Sequence, residues 1–149
     1  MQLTQHTDLG IRLMIVLARK GAGPLSLPAF AAQQRLSYHH VAKVAQALVH
    51  EGLLVSRRGR SGGVELAGPA AGITIGGIVR ALEKGLRLAD CANCALKDGC
   101  GVTGLLDEAL AAFLDVLDRK TLSDAALPQR GLQSVSESVE ARSKGTNPA

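Results

Sequence analysis

The chain has 149 residues, 46% of them hydrophobic and 20% charged, which fits one globular domain or a small domain with an appendage. Aromatic residues make up only 2%, which argues against binding of single-stranded nucleic acid by base stacking. The chain has no apolar run of about 18 residues and no signal-peptide pattern, so we expect a cytoplasmic protein without a membrane span.

The positive charge is concentrated in the first half of the chain. Residues 1–66 carry eight Lys and Arg against three Asp and Glu, a net of +5. Residues 67–149 carry nine against ten, a net of −1. This imbalance indicates an anionic partner for the N-terminal half.

Apolar residues at helical spacing predict the first two helices. The first is expected over residues 8–20, with Thr7 or Asp8 as its N-cap. The second is short and covers about residues 28–35, after a cap region at Ser26 or Leu27. The two helices are separated by a loop rich in glycine and proline.

A third helix and a hairpin follow. Ser37 is expected to cap the helix "YHHVAKVAQALVHEG", which Gly52 ends in a left-handed conformation. The apolar runs "LLVS" and "VELAG" flank the basic, glycine-rich turn "RRGRSGG" and predict a β-hairpin. Two helices followed by a hairpin is the order of a winged helix-turn-helix.

In a winged helix-turn-helix, the second helix of the pair enters the major groove of DNA and reads bases from its N-terminal turns. A basic hairpin alone is also compatible with an ordinary solvated turn, and the combination with two helices is what predicts DNA binding. Adjacent histidines on a helix point about 100° apart, so a metal shared between them is not expected. The candidate DNA-binding residues are Ser37, Tyr38, His39, His40, Lys43, Arg57, Arg58 and Arg60.

The C-terminal half contains two further predicted helices. One starts at Thr74 or Ile75 and runs through "IGGIVRALEK". The longest helix covers about residues 103–119 and carries an apolar stripe that is too long to bury against so small a monomer. The sequence after about Gln129 is rich in Ser, Gly, Glu and Lys and is expected to be disordered.

All three cysteines, Cys91, Cys94 and Cys100, lie in "ADCANCALKDGC" between these two helices. Four interpretations are open: a structural zinc site, a dithiol switch, incidental thiols and an iron–sulfur cluster. Zinc lacks a fourth local ligand, since no histidine follows His50. A cluster held by three thiolates needs a further donor, for which oxygen is the expected type. A C-x-x-C thiol oxidoreductase is a further alternative, but the thioredoxin-like βαβ pattern is missing, and we do not expect an enzyme.

These features together resemble the NsrR/IscR family of winged-helix iron–sulfur transcription regulators. The similarity covers about residues 1–127, and "RGRSGGVELAGPAAGITIGGIVRALE" is its most specific part. Within the family, "MQLTQHTD" and "FLDVLDRKTLSD" are most similar to the nitric-oxide-sensitive repressors.

The resemblance implies a homodimer that binds a partly palindromic operator in double-stranded DNA and loses affinity when nitric oxide attacks its cluster. It implies that the cysteines hold the cluster, 4Fe–4S rather than 2Fe–2S, with Asp8 of the partner subunit as fourth ligand; the alternative for Asp8 is a helix N-cap. Many relatives space the first two cysteines more widely, which leaves the cluster type and an iron or redox signal open.

The expected fold is mainly α with a small β-hairpin, and the resemblance implies that the long C-terminal helix crosses its partner. The expected segments are a winged helix-turn-helix DNA-binding domain over residues 1–84, a cluster-binding cysteine loop over 85–102, a dimerisation helix over 103–128 and a disordered tail over 129–149.

Overall fold

The structure, a computed structural model, describes residues 2–128. The predicted mainly helical fold with a small hairpin is confirmed, whereas the expected disordered tail lies outside the described residues. None of the helices in this range is both long enough and apolar enough to cross a membrane. In chain order the elements are α1 (Gln5–Lys20), α2 (Leu27–Gln34), α3 (Tyr38–His50), β1 (Leu54–Arg57), β2 (Gly63–Leu66), α4 (Ile75–Leu82), α5 (Val102–Asp118) and α6 (Leu122–Ala126).

Helix α1 begins a turn earlier than the sequence predicts. Its N-cap is Thr4, whose hydroxyl accepts a hydrogen bond from the backbone N–H of Thr7 at 3.3 Å. The predicted cap at Thr7 or Asp8 is therefore wrong: Thr7 is fully buried, and Asp8 lies in the first turn of the helix. The predicted cap region at Ser26 or Leu27 and the predicted start of α4 at Thr74 or Ile75 are confirmed, with Ser26 and Thr74 as the N-caps.

The hairpin is tied to the helix pair through an additional β-bridge. Strands β1 and β2 pair antiparallel, with Arg57 opposite Gly63. Leu25, just before α2, pairs with Val64 through two backbone hydrogen bonds of 2.8 and 3.0 Å. A Cβ at position 63 would overlap the carbonyl of Leu25, so this close approach requires glycine. The bridge fixes the hairpin relative to α2.

The core lies between α1, α3, α4 and α6 and is almost entirely aliphatic, as the composition requires. Burying each such side chain contributes about 1.5–3 kcal/mol. Gly10 of α1 marks the closest approach of helices: a Cβ there would overlap Leu82 of α4 and lie 3.4 Å from Val44 of α3. The fully buried residues include Leu13, Met14, Leu17, Phe30, Val41, Leu48, Leu54, Ile78 and Leu122.

Glu83, at the end of α4, holds the first turn of α1. Its Oε1 accepts a hydrogen bond from the backbone N–H of Thr4 at 2.6 Å. Partial burial alone would raise the pKa of Glu83, but hydrogen bonds from Thr4 and from the hydroxyl of Thr7, with the charge of His6, lower it below the ordinary value of a glutamate. The ionised carboxylate therefore fixes the start of α1 against the end of α4.

Segment 103–128 contains two helices rather than one. The predicted helix over about 103–119 is confirmed as α5, but it ends at Asp118, and Thr121 then caps α6 in a reciprocal capping box with Asp124. Helix α6 packs against α1 and buries Leu122, whose N–H donates to the carbonyl of Ile73 at 2.7 Å. Residues 122–126 thus belong to the N-terminal core.

Helix α5 has no buried residue and is anchored near its C-terminal end. The carboxylate of Asp118 accepts two hydrogen bonds from Arg80, at 2.8 and 2.6 Å, and one from the hydroxyl of Thr74 at 3.1 Å. The bonds from Arg80 and Thr74 lower the pKa of Asp118. The C-terminal end of α5 therefore lies against α4, and residues 83–101, the cysteine segment, connect the end of α4 to the start of α5.

We expect Leu122→Ala to lower the free energy of unfolding by about 2–5 kcal/mol, because it leaves a cavity between α6 and α1. Urea denaturation followed by circular dichroism measures this change. The control is Leu127→Ala, since Leu127 is 63% exposed and its truncation is expected to be nearly neutral. Equal effects of the two variants would contradict the docking of α6.

We expect Glu83→Gln to lower the free energy of unfolding at pH 7 and to have a much smaller effect at a pH well below the ordinary pKa of glutamate. The folded-state pKa is lowered, so the stabilisation is complete above the unfolded-state pKa and is lost as pH falls through the folded-state value. Urea denaturation at both pH values measures it, with the exposed Glu108→Gln as control. An effect independent of pH would show that the charge of Glu83 is not what holds α1.

Candidate nucleic-acid interface and cysteine site

Helix α3 has one buried face and one polar face. Val41, Val44 and Leu48 point into the core. Ser37 is the N-cap but its side chain makes no cap hydrogen bond, so its hydroxyl is not used by the helix. The exposed side of α3 and its cap comprises all five residues that the sequence predicts for DNA contact: Ser37, Tyr38, His39, His40 and Lys43.

The two histidines of α3 are neighbours but do not converge. Their ring centroids lie 6.2 Å apart, and the ring planes are tilted by 51°. Both residues are exposed, so each imidazole can donate or accept a hydrogen bond at a base edge or phosphate.

The three arginines of the β1–β2 hairpin, which is the wing, differ in their partners. Arg57 Nε donates to Glu65 Oε2 at 2.7 Å across the hairpin, so its charge is compensated. Arg58 and Arg60 are exposed at the turn and form no ion pair within residues 2–128. Gly59 between them has φ +113°, a conformation that favours glycine. The turn therefore presents Arg58 and Arg60 as the cations available to a phosphate.

The three cysteines lie on consecutive tight turns. Cys91–Asn93 forms a 3₁₀ turn in which the N–H of Cys94 donates to the carbonyl of Cys91 at 3.2 Å. The N–H of Lys97 then donates to the carbonyl of Cys94 at 3.3 Å. Cys91 and Cys100 are half-buried, Cys94 is exposed, and all three are free thiols. The predicted position of the cysteines in a loop between helices is confirmed.

Cys100 sits at the start of α5 and is the cysteine with the lowered pKa. The backbone N–H of Val102 is the main cause, and the side chain and backbone of Thr103 add to it; partial burial opposes them. Hydrogen bonds at a helix N-terminus favour the thiolate, which is the form that binds metals.

The donors of this loop fit an iron–sulfur cluster by their chemistry. Three thiols within ten residues are soft ligands of the type that iron–sulfur clusters take. In one subunit, however, no three His, Cys, Asp or Glu side chains of residues 2–128 lie close enough together to hold a metal ion. Binding would therefore draw the loop together, as metal binding commonly orders its ligands.

Asp8 lies on α1, beside α3. Its carboxylate is half-exposed and pairs with Arg12 one turn along α1, at 2.7 Å. Both residues line a cavity of about 230 Å³ between the starts of α1 and α3. His40 and Lys43 of α3 line the same cavity. The residue predicted as a cluster ligand and two residues predicted to contact DNA therefore share one groove.

Sequence reasoning misses the residues that connect the cysteine segment to the helices. Glu83 and Lys84 follow α4 and directly precede the cysteine loop of residues 85–102. Glu83 contacts α1 through Thr4, and Lys84 Nζ lies 2.8 Å from Glu51 Oε1 at the end of α3. Their partners lie 79 and 33 residues away in the chain, and no local pattern signals such pairs. The cysteine segment is thus attached to both helices of the groove.

Comparison with known proteins places this arrangement in a family. The Rrf2 family, described as "Iron-dependent Transcriptional regulator", matches residues 3–127. Among curated proteins, the HTH-type transcriptional regulator NsrR of Shouchella clausii is 38% identical over 141 residues, covering 91% of this chain and 95% of that protein.

Solved structures agree with this assignment. The global cysteine regulator CymR of B. subtilis is 33% identical, with a TM-score of 0.72, covering 85% of this chain and 96% of that one. IscR of T. potens is 28% identical, with a TM-score of 0.69, covering 88% of this chain and 94% of that one. The chain therefore belongs to the Rrf2 family of winged-helix transcriptional regulators, as the sequence resemblance predicts.

Proposed function

We propose that this protein is a homodimeric repressor that binds a DNA operator in the cytoplasm and senses nitric oxide through an iron–sulfur cluster. The observation that carries the proposal is the groove between α1 and α3, which Asp8 shares with His40 and Lys43. Binding or release of the Asp8 carboxylate would therefore take place next to α3, the proposed DNA-contacting helix. The similarity to proteins named NsrR supports nitric oxide as the signal.

The DNA-binding part of the proposal uses the exposed side of α3 and the wing. Ser37, Tyr38, His39, His40 and Lys43 would enter the major groove, where hydroxyl, imidazole and ammonium groups can contact base edges and phosphates. Arg58 and Arg60 would contact the backbone or minor groove, while Arg57 is held by Glu65 and contributes less. The net charge of +5 on residues 1–66 favours approach to DNA.

A second copy of the chain is the proposed partner of α5. Val102, Leu105 and Val116 are 52%, 61% and 58% exposed, and α5 has no buried residue in one subunit. Exposed aliphatic side chains repeated along one helix are stabilised when a second helix covers them. A dimer would also place two α3 helices on one operator.

Cys91, Cys94 and Cys100 would hold the cluster, and Asp8 of the partner subunit would add an oxygen donor. When bound, the cluster supplies iron that nitric oxide attacks. Asp8 would then be fixed in position. Because Asp8 is on α1, and α1 packs on α3 near Gly10, this would also restrain α3. Release of Asp8 would remove the link between α1 and the partner's cluster and change the spacing of the two α3 helices, which would lower DNA affinity.

An iron or redox sensor of the same family is the second candidate. The observation that favours it is the pair Cys91 and Cys94, whose backbones are already joined in one 3₁₀ turn and whose thiols are free. A C-x-x-C pair on a tight turn is typical of thiols that respond to oxidation. The two candidates differ in the signal that lowers DNA affinity.

We expect protein purified without oxygen to show visible charge-transfer absorption and about four iron and four sulfide per subunit, because a 4Fe–4S cluster is the expected cofactor. Cys91→Ser, Cys94→Ser and Cys100→Ser should each reduce iron to background. Nitric oxide should bleach the absorption and weaken DNA binding together. Zinc as the bound metal would contradict the cluster, and loss of DNA affinity with oxidant or chelator but not with nitric oxide would favour the second candidate.

We expect Asp8→Asn to shift the visible absorption or to speed cluster loss several-fold, because an amide is a weaker iron ligand than a carboxylate. Absorption spectra and the rate of bleaching in air measure both effects. The matched control is Arg12→Gln, which removes the ion pair but keeps the carboxylate. If Arg12→Gln reproduces the effect of Asp8→Asn, the ion pair rather than iron ligation explains Asp8.

A further inference from the structure

Arg35 has an unusual backbone conformation. Its φ is +55° and its ψ is 44°, the left-handed helical region. It is the one residue other than glycine with positive φ within residues 2–128. A side chain with a Cβ is strained there, and glycine or asparagine normally occupies such positions.

The turn between α2 and α3 requires this conformation. Arg35 is the C-cap of α2, and its N–H donates to the carbonyl of Ala32 at 3.2 Å. The N–H of Leu36 donates to the carbonyl of Ala31 at 2.9 Å. These bonds close the end of α2 and set the direction of α3, so the backbone is left-handed whichever residue occupies position 35.

The side chain of Arg35 has no structural partner that explains its presence. It is exposed, and it forms no ion pair within the described range of 2–128. Glycine would fit the turn without strain, and asparagine with less. The arginine is therefore unfavourable for the turn, and among residues 2–128 its guanidinium forms neither an ion pair nor a hydrogen bond.

The position of Arg35 suits contact with DNA. It precedes Ser37, the N-cap of α3, by two residues, so their Cα atoms are separated by at most about 7 Å of chain. The extended arginine side chain adds a reach of similar size. A helix that enters the major groove at its N-terminus has the phosphates of the groove edge at this distance.

We propose that Arg35 is a phosphate-contacting residue of the DNA interface, and that the strained conformation is retained because this turn places a guanidinium beside the recognition helix. The proposal rests on the proposed DNA-binding function. Contact to phosphate carries no base information, so Arg35 sets affinity for all sequences and not the choice of operator. A guanidinium also binds phosphate oxygens in a bidentate manner.

The test measures binding to a random-sequence DNA duplex of about 30 base pairs, long enough for two half-sites a helical turn or two apart. We expect Arg35→Gly to weaken binding at least about tenfold and to leave the melting temperature equal or higher, because glycine relieves the strain. The slope of log affinity against log salt should fall by about 1.8, since each of two Arg35 residues in a dimer neutralises one phosphate. Arg35→Lys should stay within about threefold of the parent protein.

The matched control is Arg119→Gly. Arg119 is also an exposed helix C-cap, but its φ is −72° and it lies at the end of α5. It should keep the affinity and salt slope of the parent protein. Unchanged affinity and slope in Arg35→Gly, or an equal loss in Arg119→Gly, would overturn the assignment of Arg35. Absence of DNA binding by the parent protein would instead overturn the proposed function.

Discussion

The close packing of α1 against α3 and α4 at Gly10 is the contact on which the rest of the structure depends. A Cβ there would overlap the end of the Leu82 side chain and lie 3.4 Å from Val44, so a larger residue would require Leu82 to move. A displacement of α1 is therefore passed on to its neighbours α3 and α4, because protein interiors are closely packed. Asp8 lies two residues before Gly10, so a force applied at Asp8 acts on a helix already in contact with the recognition helix.

The remaining connections are weaker and lie at the surface. Glu83 and Lys84 join the start of the cysteine segment to α1 and to the end of α3, and Asp118 joins α5 to α4 through Arg80. The two exposed ion pairs, Lys84–Glu51 and Arg80–Asp118, each contribute little to stability. They position the parts of the molecule, whereas the aliphatic core supplies most of the folding free energy.

Much of the fold can be predicted from the sequence, because it follows from local signals. Apolar periodicity gives α1 to α5, hydroxyl caps at Ser26 and Thr74 mark two helix starts, and Gly52 has the expected left-handed φ of +73°. Two features were missed for physical reasons. Thr4 and Thr7 are the same type of cap residue, and the hydrogen bond from Thr4 to the distant Glu83 is not visible in the local sequence. Helix α6 has five residues and is held by long-range contacts to Ile73 and α1.

The candidate site could be predicted in its residue types but not in its geometry. The sequence identifies the polar start of α3, which is exposed, and the cysteine segment, which lies between α4 and α5; their roles stay predictions. The sequence does not reveal that Arg57 is paired with Glu65, or that Asp8 borders the same groove as His40, because both contacts depend on how separate elements pack together. Arg35 shows the opposite case: its residue type is ordinary, and only its backbone angles distinguish it.

Helix α5 is anchored through Asp118 at its C-terminal end, so a small rotation there displaces its other end. Its 17 residues span about 25 Å from Asp118 to Val102, beside Cys100, whereas the eight residues of α4 that support it span about 12 Å. The end beside Cys100 therefore lies farther from the anchor than the whole length of α4, and a rotation of about 5° at the anchor would displace it by about 2 Å. The longer the helix, the larger the displacement that a given rotation at Arg80 and Thr74 produces at the cysteine end.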